Sequence, residues 1–458
     1  VNGEHEHIKE RYGLVRSLGL LESTALNMSN MVGVGPFITI PLIIAAMGGP
    51  QCMLGWAIGA VLALCDGLVW SELAAAMPGS GGTFVYLREA YAKTRFGRLM
   101  PFLFIWQFIF SGPLEIASGF IGFAQYVTYF WRDLGAVETK LVTAAVGVAI
   151  VALLYRDIRE VGKLTVVLWV GMLATVLAVI ASGAIHFDAR RAFDFPPNAW
   201  TFSQGFFLGL GSAMLIAMYD FLGYYDICYV AGEVRNPERV IPRAIIISVV
   251  AVAMIYAAIN LSIMGVVPWR EAIESKFIAS DFMDRAWGGA AGAVITVMIL
   301  WTCLASVFAL MLGFSRIPYA AALDGYFFKA FAKVHPRAKF PYVSLLTVGG
   351  LSILGGMLSL DWVVPALMTA RIVVQFMGQI VAVHLLRTTR PDIERPYRMF
   401  LYPLPSVVAM AGWIYVFGTS GWMFALYGFG TLALGVVAFF LWQGRAHPAV
   451  DQQPGGRA

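Results

Sequence analysis

The sequence predicts an all-α polytopic membrane protein with twelve transmembrane helices, of which the first and the sixth are discontinuous. Three observations predict it. Apolar residues make up 59% of the chain and charged residues 13%, with a mean hydropathy of +0.74, a balance that excludes a soluble globule of this length. Apolar runs of membrane-crossing length recur from end to end. Two of those runs are interrupted near their centres by glycine, proline or acidic residues, where an ordinary span has no reason to break.

In order, the runs lie near Gly19 to Met47, Met53 to Met77, Leu99 to Phe130, Lys140 to Leu154, Leu164 to Ile185 and Phe202 to Val230. The second six follow near Ile245 to Val267, Ala290 to Phe314, Val343 to Leu360, Trp362 to Leu386, Leu404 to Phe417 and Trp422 to Trp442. At roughly 20 residues per crossing they leave short loops with no room for a separate soluble domain. The polar start, with Glu4, Glu6, Lys9, Glu10 and Arg11, lacks the apolar stretch of a cleavable signal, so the first run is expected to remain as a helix.

An even number of spans puts both ends on one side, and basic residues choose which. Loops on the side of the ends hold Arg88, Lys93, Arg95, Arg98, Arg235, Arg239, Lys329, Lys333, Arg387 and Arg390 among others. The opposite loops hold only Arg132, Lys140, Arg190, Arg191, Arg270, Lys276 and Arg285. Both termini are therefore expected in the cytoplasm, with the chain as a multi-pass protein of the cell membrane. The net charge of +5 is accounted for by this asymmetry, and no nucleic-acid partner is expected. Cys52, Cys65, Cys228 and Cys303 have no paired spacing, and the histidines are dispersed, so neither a disulfide framework, a metal site nor a cofactor is expected.

The first interruption, Met31-Val32-Gly33-Val34-Gly35-Pro36-Phe37, puts two glycines and a proline inside a span. Unpaired backbone groups cost several kcal/mol each in lipid, so such a break needs protein, water or a solute to complete it. Close helix packing at the glycines is the alternative. The second interruption, Met218 to Asp226, contains Tyr219, Asp220, Phe221, Gly223, Tyr224, Tyr225 and Asp226. An offset of five spans reverses the second copy in the membrane, the spacing of an inverted repeat whose broken helices meet at a solute site.

Helix electrostatics gives these breaks opposite roles. A helix restarting near Pro36 presents N–H groups of Val34, Gly35, Phe37 and Ile38 to a carboxylate. Carbonyls released around Ala217 to Phe221 face a cation. An α-amino acid carries both charges, and its side chain could project among Tyr219, Phe221, Tyr224 or Tyr225.

Charges inside spans cost roughly 2.5 to 3.5 kcal/mol each at a helix centre. Candidates are Asp66, Glu115, Asp220, Asp226 and Arg371. Glu115 and Arg371 are open to two readings: a mutually neutralising buried pair, or a solute path in which Glu115 binds a cation or proton and Arg371 gates. Asp220 or Asp226 in the cavity would make it acidic and favour a cationic amino acid or a polyamine. Asp66 and Glu72 are expected to cap or pair near the cytoplasmic end. Thr302 and Ser306 share a helical face and could hold a sodium ion, although such hydroxyls commonly bond back to their own helix. A proton, or exchange without any ion, is the other coupling. No His-Glu-x-x-His or Gly-x-Ser-x-Gly motif points to an enzyme.

Four segments, in order, resemble the amino acid/polyamine/organocation superfamily of secondary transporters over about residues 15 to 405. They are Gly33-Val-Gly-Pro-Phe37; Ser71-Glu-Leu-Ala-Ala-Ala-Met-Pro-Gly-Ser-Gly-Gly-Thr83; Ala231-Gly-Glu-Val-Arg-Asn-Pro-Glu-Arg239; and Ser315-Arg-Ile-Pro-Tyr-Ala-Ala-Ala-Leu-Asp-Gly325. The resemblance implies a five-plus-five inverted repeat, alternating access, and transport of amino acids or related amines. It divides the chain into a cytoplasmic segment (1–14), a ten-helix core (15–390), helices eleven and twelve (391–443) and a disordered tail (444–458). Three departures stand out. The first break is closer to the Gly-Pro-Phe of polyamine-type members. The coupling lysine that some relatives place midway along the fifth span is absent, since the middle reads Trp169-Val-Gly-Met172. The loop after the third span has no cysteine, so no covalently linked glycoprotein partner is expected. A non-transporting sensor on the same fold would be expected to carry a sizeable signalling extension.

Overall fold

A computed structural model describes residues 18–443 apart from 80, 156–157 and 337–339. The expected N-terminal segment and C-terminal tail lie outside the described residues. The chain opens with α1 (Leu20–Met31) and α2 (Gly35–Met47), bent by 51° at the break between them. There follow α3 (Met53–Ala76), α4 (Thr83–Tyr91), α5 (Leu99–Val127), α6 (Ala136–Leu154), α7 (Ile158–His186) and α8 (Gln204–Phe221). After a 3-10 segment, Asp226–Glu233, come α9 (Pro237–Val266), α10 (Ile278–Trp287), α11 (Gly289–Phe314), α12 (Arg316–Leu323) and α13 (Tyr342–Gly355). The last helices are α14 (Leu360–Arg371), α15 (Gly378–Thr389), α16 (Leu404–Thr419) and α17 (Trp422–Gln443).

The architecture is that of a multi-pass membrane protein. By length and composition eight spans qualify among the described residues, or nine with the bent pair; Val170–His186, Tyr342–Gly355 and Leu404–Thr419 are shorter apolar helices. The outward faces carry Leu141, Val148, Leu177, Met254, Leu354, Phe429 and Phe440, apolar surface that water would penalise and hydrocarbon accepts.

Inside, α9 runs along α3, α14 along α5, and α8 packs on both α2 and α3. This arrangement surrounds the α1–α2 break with helices distant in sequence. Three helices, α4, α10 and α12, lie where the sequence reads as loop. In α10 the reason is visible: Ile278, Ala279 and Phe282 are buried while Arg285 and Trp287 are exposed, an amphipathic face too polar to register as a span.

Candidate functional site

The first break starts where the backbone leaves the helix at Met31 and ends one residue before Pro36, at Gly35. Proline in the first turn forfeits no intrahelical bond, so the restart is inexpensive there. The second break follows Phe221, where Leu222 to Tyr225 separate α8 from the 3-10 segment. Gly223 permits it twice over. Its φ is +107°, and a Cβ at this position would stand 2.8 Å from Asn30 Cβ and 3.3 Å from Met31 N.

The two breaks are joined directly. Asn27 Nδ2 donates to Tyr224 O at 2.7 Å, and Ile227 N–H donates to Asn27 Oδ1 at 3.0 Å. Asn30 Nδ2 donates to Asp226 Oδ2. Tyr256, from α9, places its hydroxyl within hydrogen-bond reach of both Met31 O and Asp220 O. Thus much of the backbone freed at the breaks is satisfied by polar side chains buried around it.

Between the breaks lies a cavity of about 30 Å³, room for one or two waters. Asn30, Met31, Gly33, Val34 and Gly35 line it from the first break, Glu115, Ser118 and Gly119 from α5, Tyr219, Asp220 and Leu222 from the second break, and Ser306 and Leu310 from α11. A solute the size of an amino acid requires these walls to part. Both glycines permit close approach: a Cβ on Gly33 would meet Ser306 Oγ at 2.5 Å, and one on Gly35 would collide with Asp220 Oδ1.

Glu115 and Arg371 form an ion pair, Oε2 to Nη1 2.6 Å, both nearly inaccessible to solvent. Glu115 also lines the cavity, which puts the buried pair at its wall. Arg371 is 1% exposed, donates from Nε to Ser111 Oγ at 3.0 Å and lies over the Phe314 ring. Asp220 is different. It is 3% exposed, accepts at Oδ2 from Thr39 Oγ1 at 2.5 Å, and has no ion-pair partner among the described residues. Tyr219 OH and Ser118 Oγ, 2.7 Å apart, close the wall between α8 and α5.

Of the residues singled out by sequence, Met31, Gly33, Val34, Gly35, Glu115, Tyr219, Asp220 and Ser306 line this cavity, and the rest do not. Val32 and Phe37 are buried elsewhere, and Phe37 N–H donates to Val34 O, so it is not free for a carboxylate. Phe221 packs against Trp56 and Tyr256. Tyr224 OH donates to Asp66. Gly223 and Asp226 support the break from behind, through Asn30. Arg371 reaches the cavity only through Glu115. Thr302 Oγ1 donates to Met298 O at 2.9 Å and stands 3.1 Å from Thr175 Oγ1 on α7, and of the two hydroxyls only that of Ser306 belongs to a residue lining the cavity.

The carbonyls expected to face a cation are also partly taken. Tyr219 O accepts from Leu222 N–H at 3.1 Å, and Asp220 O from Tyr256. Asp66 sits mid-helix rather than at an end and accepts from Trp70, Tyr224 and Trp413. Glu72 does pair, through two 2.7 Å bonds with Arg387, and accepts from Met399 N–H. Sequence reasoning missed Asn30 and Ser118. The first is a polar residue just ahead of the break, and the second lies one turn from Glu115, on the same face. A larger open groove of about 740 Å³, lined by Arg88, Arg95, Arg98 and Phe439, shares no residue with either break.

Residues 18–451 match the family described as amino acid permease. The chain is 25% identical over 457 residues to the branched-chain amino acid permease BcaP of Bacillus subtilis, covering 96% of this chain and 95% of that one. It is 24% identical over 422 residues to the serine/threonine exchanger SteT of the same organism, covering 90% and 92%. To an uncharacterized transporter of Mycobacterium tuberculosis it is 31% identical over 343 residues, covering 74% and 73%. The matched region takes in both breaks and every helix that lines the cavity, and the chain belongs to the amino acid permease family of the amino acid/polyamine/organocation superfamily.

Proposed function

We propose that the protein carries amino acids across the cytoplasmic membrane by alternating access, with no chemical step. The observation that carries this is a cavity with polar groups in its wall at the meeting point of two broken helices, built from five helices, α1, α2, α5, α8 and α11, of one membrane domain. Support comes too from the relatives named above, a branched-chain permease and a serine/threonine exchanger. Twelve spans are proposed, because the eight long helices, the bent pair and the three shorter apolar helices follow one another in the expected order. An inverted repeat is proposed because helices five spans apart pack together: the first break on the sixth span, α3 on α9, and α5 on α11. In this arrangement residues 15–390 form the transport core, residues 391–443 flank it, and both termini are cytoplasmic.

The substrate's carboxylate is assigned to the start of α2 and its ammonium to the acidic side of the cavity. Glu115 is already committed to Arg371, so a cationic side chain gains a second receptor only if that pair opens. A second reading, transport of an organic amine or polyamine, is favoured by Asp220 lying against Gly35, beside the helix end that would receive a carboxylate. Sodium coupling is not part of the proposal, since Thr302 faces Thr175 on α7 and only Ser306 of the two lines the cavity; a proton or plain exchange is.

The test is uptake and counterflow in liposomes containing the purified protein, with labelled neutral amino acids, basic amino acids and polyamines. Saturable uptake of an amino acid, unchanged when choline replaces sodium, is expected. No uptake of any class would overturn the assignment.

A further inference from the structure

We propose that the open groove beside the start of α5 binds the headgroup of an anionic glycerophospholipid, with Arg95 and Arg98 on its phosphate and the acyl chains leaving past Phe440. Three stretches distant in sequence build the groove: the turn 94–98 between α4 and α5, Tyr326 just after α12, and Phe439 and Phe440 of α17. Their placement is fixed by packing. α17 lies along α5, where the Phe439 and Phe102 rings meet with centroids 5.4 Å apart and Trp106 Nε1 donates to Thr431 O at 3.0 Å. In the turn, Gly97 N–H donates to Thr94 O at 3.2 Å, and a Cβ on Gly97 would stand 2.9 Å from Ala92 O. Arg95 and Arg98 therefore bracket a position that excludes a side chain.

Charge makes the groove a receptor for an anion. Arg88, which also lines it, is matched by Asp324 at 3.2 Å and Glu89 at 3.1 Å. Glu89 is the one acidic residue among the described residues of the wall, and it stands 4.0 Å from Arg390 as well. Arg95 and Arg98 are exposed and form no ion pair among the described residues. A guanidinium does not give up its proton in a protein, so both charges are permanent. Its planar fork of N–H donors matches the two free oxygens of a phosphate diester.

Position selects a lipid over a soluble anion. The membrane-crossing stretch of α17 runs to Trp442, which puts Phe439 and Phe440 at the depth where hydrocarbon gives way to headgroups. Phe440 is 63% exposed and Phe96, in the turn, 52%. Aromatic rings at that depth lie in the membrane interface, so one mouth of the groove opens on acyl chains. Its volume of about 740 Å³ is that of a site for a whole small molecule rather than a single ion. Basic pockets between spans recognise anionic headgroups by this chemistry.

The experiment follows the thermal unfolding midpoint of the purified protein in detergent as dioleoylphosphatidylglycerol, dioleoylphosphatidylcholine or glycerol phosphate is added. It compares wild type, the double variant Arg95→Gln with Arg98→Gln, and Lys329→Gln, a basic residue outside the groove. Phosphatidylglycerol should raise the wild-type midpoint saturably, and the other two compounds at equal concentration should not. The double variant should need about 25-fold more phosphatidylglycerol for half the effect, about fivefold for each arginine, whereas Lys329→Gln should stay close to wild type. Equal responses to the two lipids, or an unchanged response in the double variant, would overturn the site. Glycerol phosphate acting as well as the lipid would replace the lipid by a soluble phosphate ester, and Lys329→Gln matching the double variant would reduce the effect to diffuse surface attraction; either overturns the proposal. The wild-type comparison needs no variant, so misfolding of the double variant cannot mask the answer.

Discussion

Tyr256 has one hydroxyl proton and two carbonyls within reach, Met31 O at the end of α1 and Asp220 O near the end of α8. It cannot satisfy both fully at once. Replacing it by phenylalanine keeps the ring against Trp56 and Phe221 but bares a buried carbonyl, at about 1 to 3 kcal/mol. Tyr256→Phe is therefore expected to lower the thermal unfolding midpoint in detergent and to impair uptake, with expression retained. Glu115→Gln acts by charge: it leaves Arg371 buried without its partner, a loss of about 3 to 5 kcal/mol in comparable pairs. Thermal stability should fall markedly, and Glu115→Gln with Arg371→Met should recover much of it. Undiminished uptake of a cationic solute with unchanged pH dependence in Glu115→Gln would remove that residue from the site.

At the scale of elements, the breaks are held by contacts between segments some two hundred residues apart. Gly223 is the tightest of these. Its left-handed backbone and its contact with Asn30 both exclude a side chain. Gly223→Ala should cost about 1 to 3 kcal/mol from strain alone, and uptake should drop more than stability, because the alanine pushes directly on Asn30. Both breaks were legible because glycine, proline and acids inside apolar runs are local signals. Their partners were not. Tyr256, Asn27 and Thr39 look like ordinary polar residues in their own spans, and only packing shows that they cap carbonyls or carboxylates elsewhere. For the same reason the sequence assigned Phe37 N–H to a carboxylate, while the first turn of α2 uses it internally. It also read Thr302 and Ser306 as a pair from their shared face, whereas Thr302 bonds Met298 and Thr175. The π-helical turn Ile372–Met377, immediately after Arg371, was equally invisible in composition.

The whole molecule follows from hydropathy and loop charge. Multi-pass helical architecture was legible because the apolar runs are long and evenly spaced. The helices α4, α10 and α12 were not, since short amphipathic segments resemble loops in composition. Basic residues concentrated in alternate connections predict that both ends face the cytoplasm. Fusions of a reporter active only in the cytoplasm, placed after Trp442 and in the loop containing Arg270, should be active and silent respectively; the opposite pattern would invert the topology.

The central claim is that a solute binds between the two broken helices, and Ser306, against Gly33 in the cavity wall, offers the most direct view of it. The measurement is the rate at which a Ser306→Cys variant, in a background lacking Cys52, Cys65, Cys228 and Cys303, reacts with a small thiol reagent in proteoliposomes. A transported solute at saturating concentration should slow that reaction, with half-protection near its transport KM. A rate indifferent to that solute, in a variant that still transports it, would contradict the placement of the site.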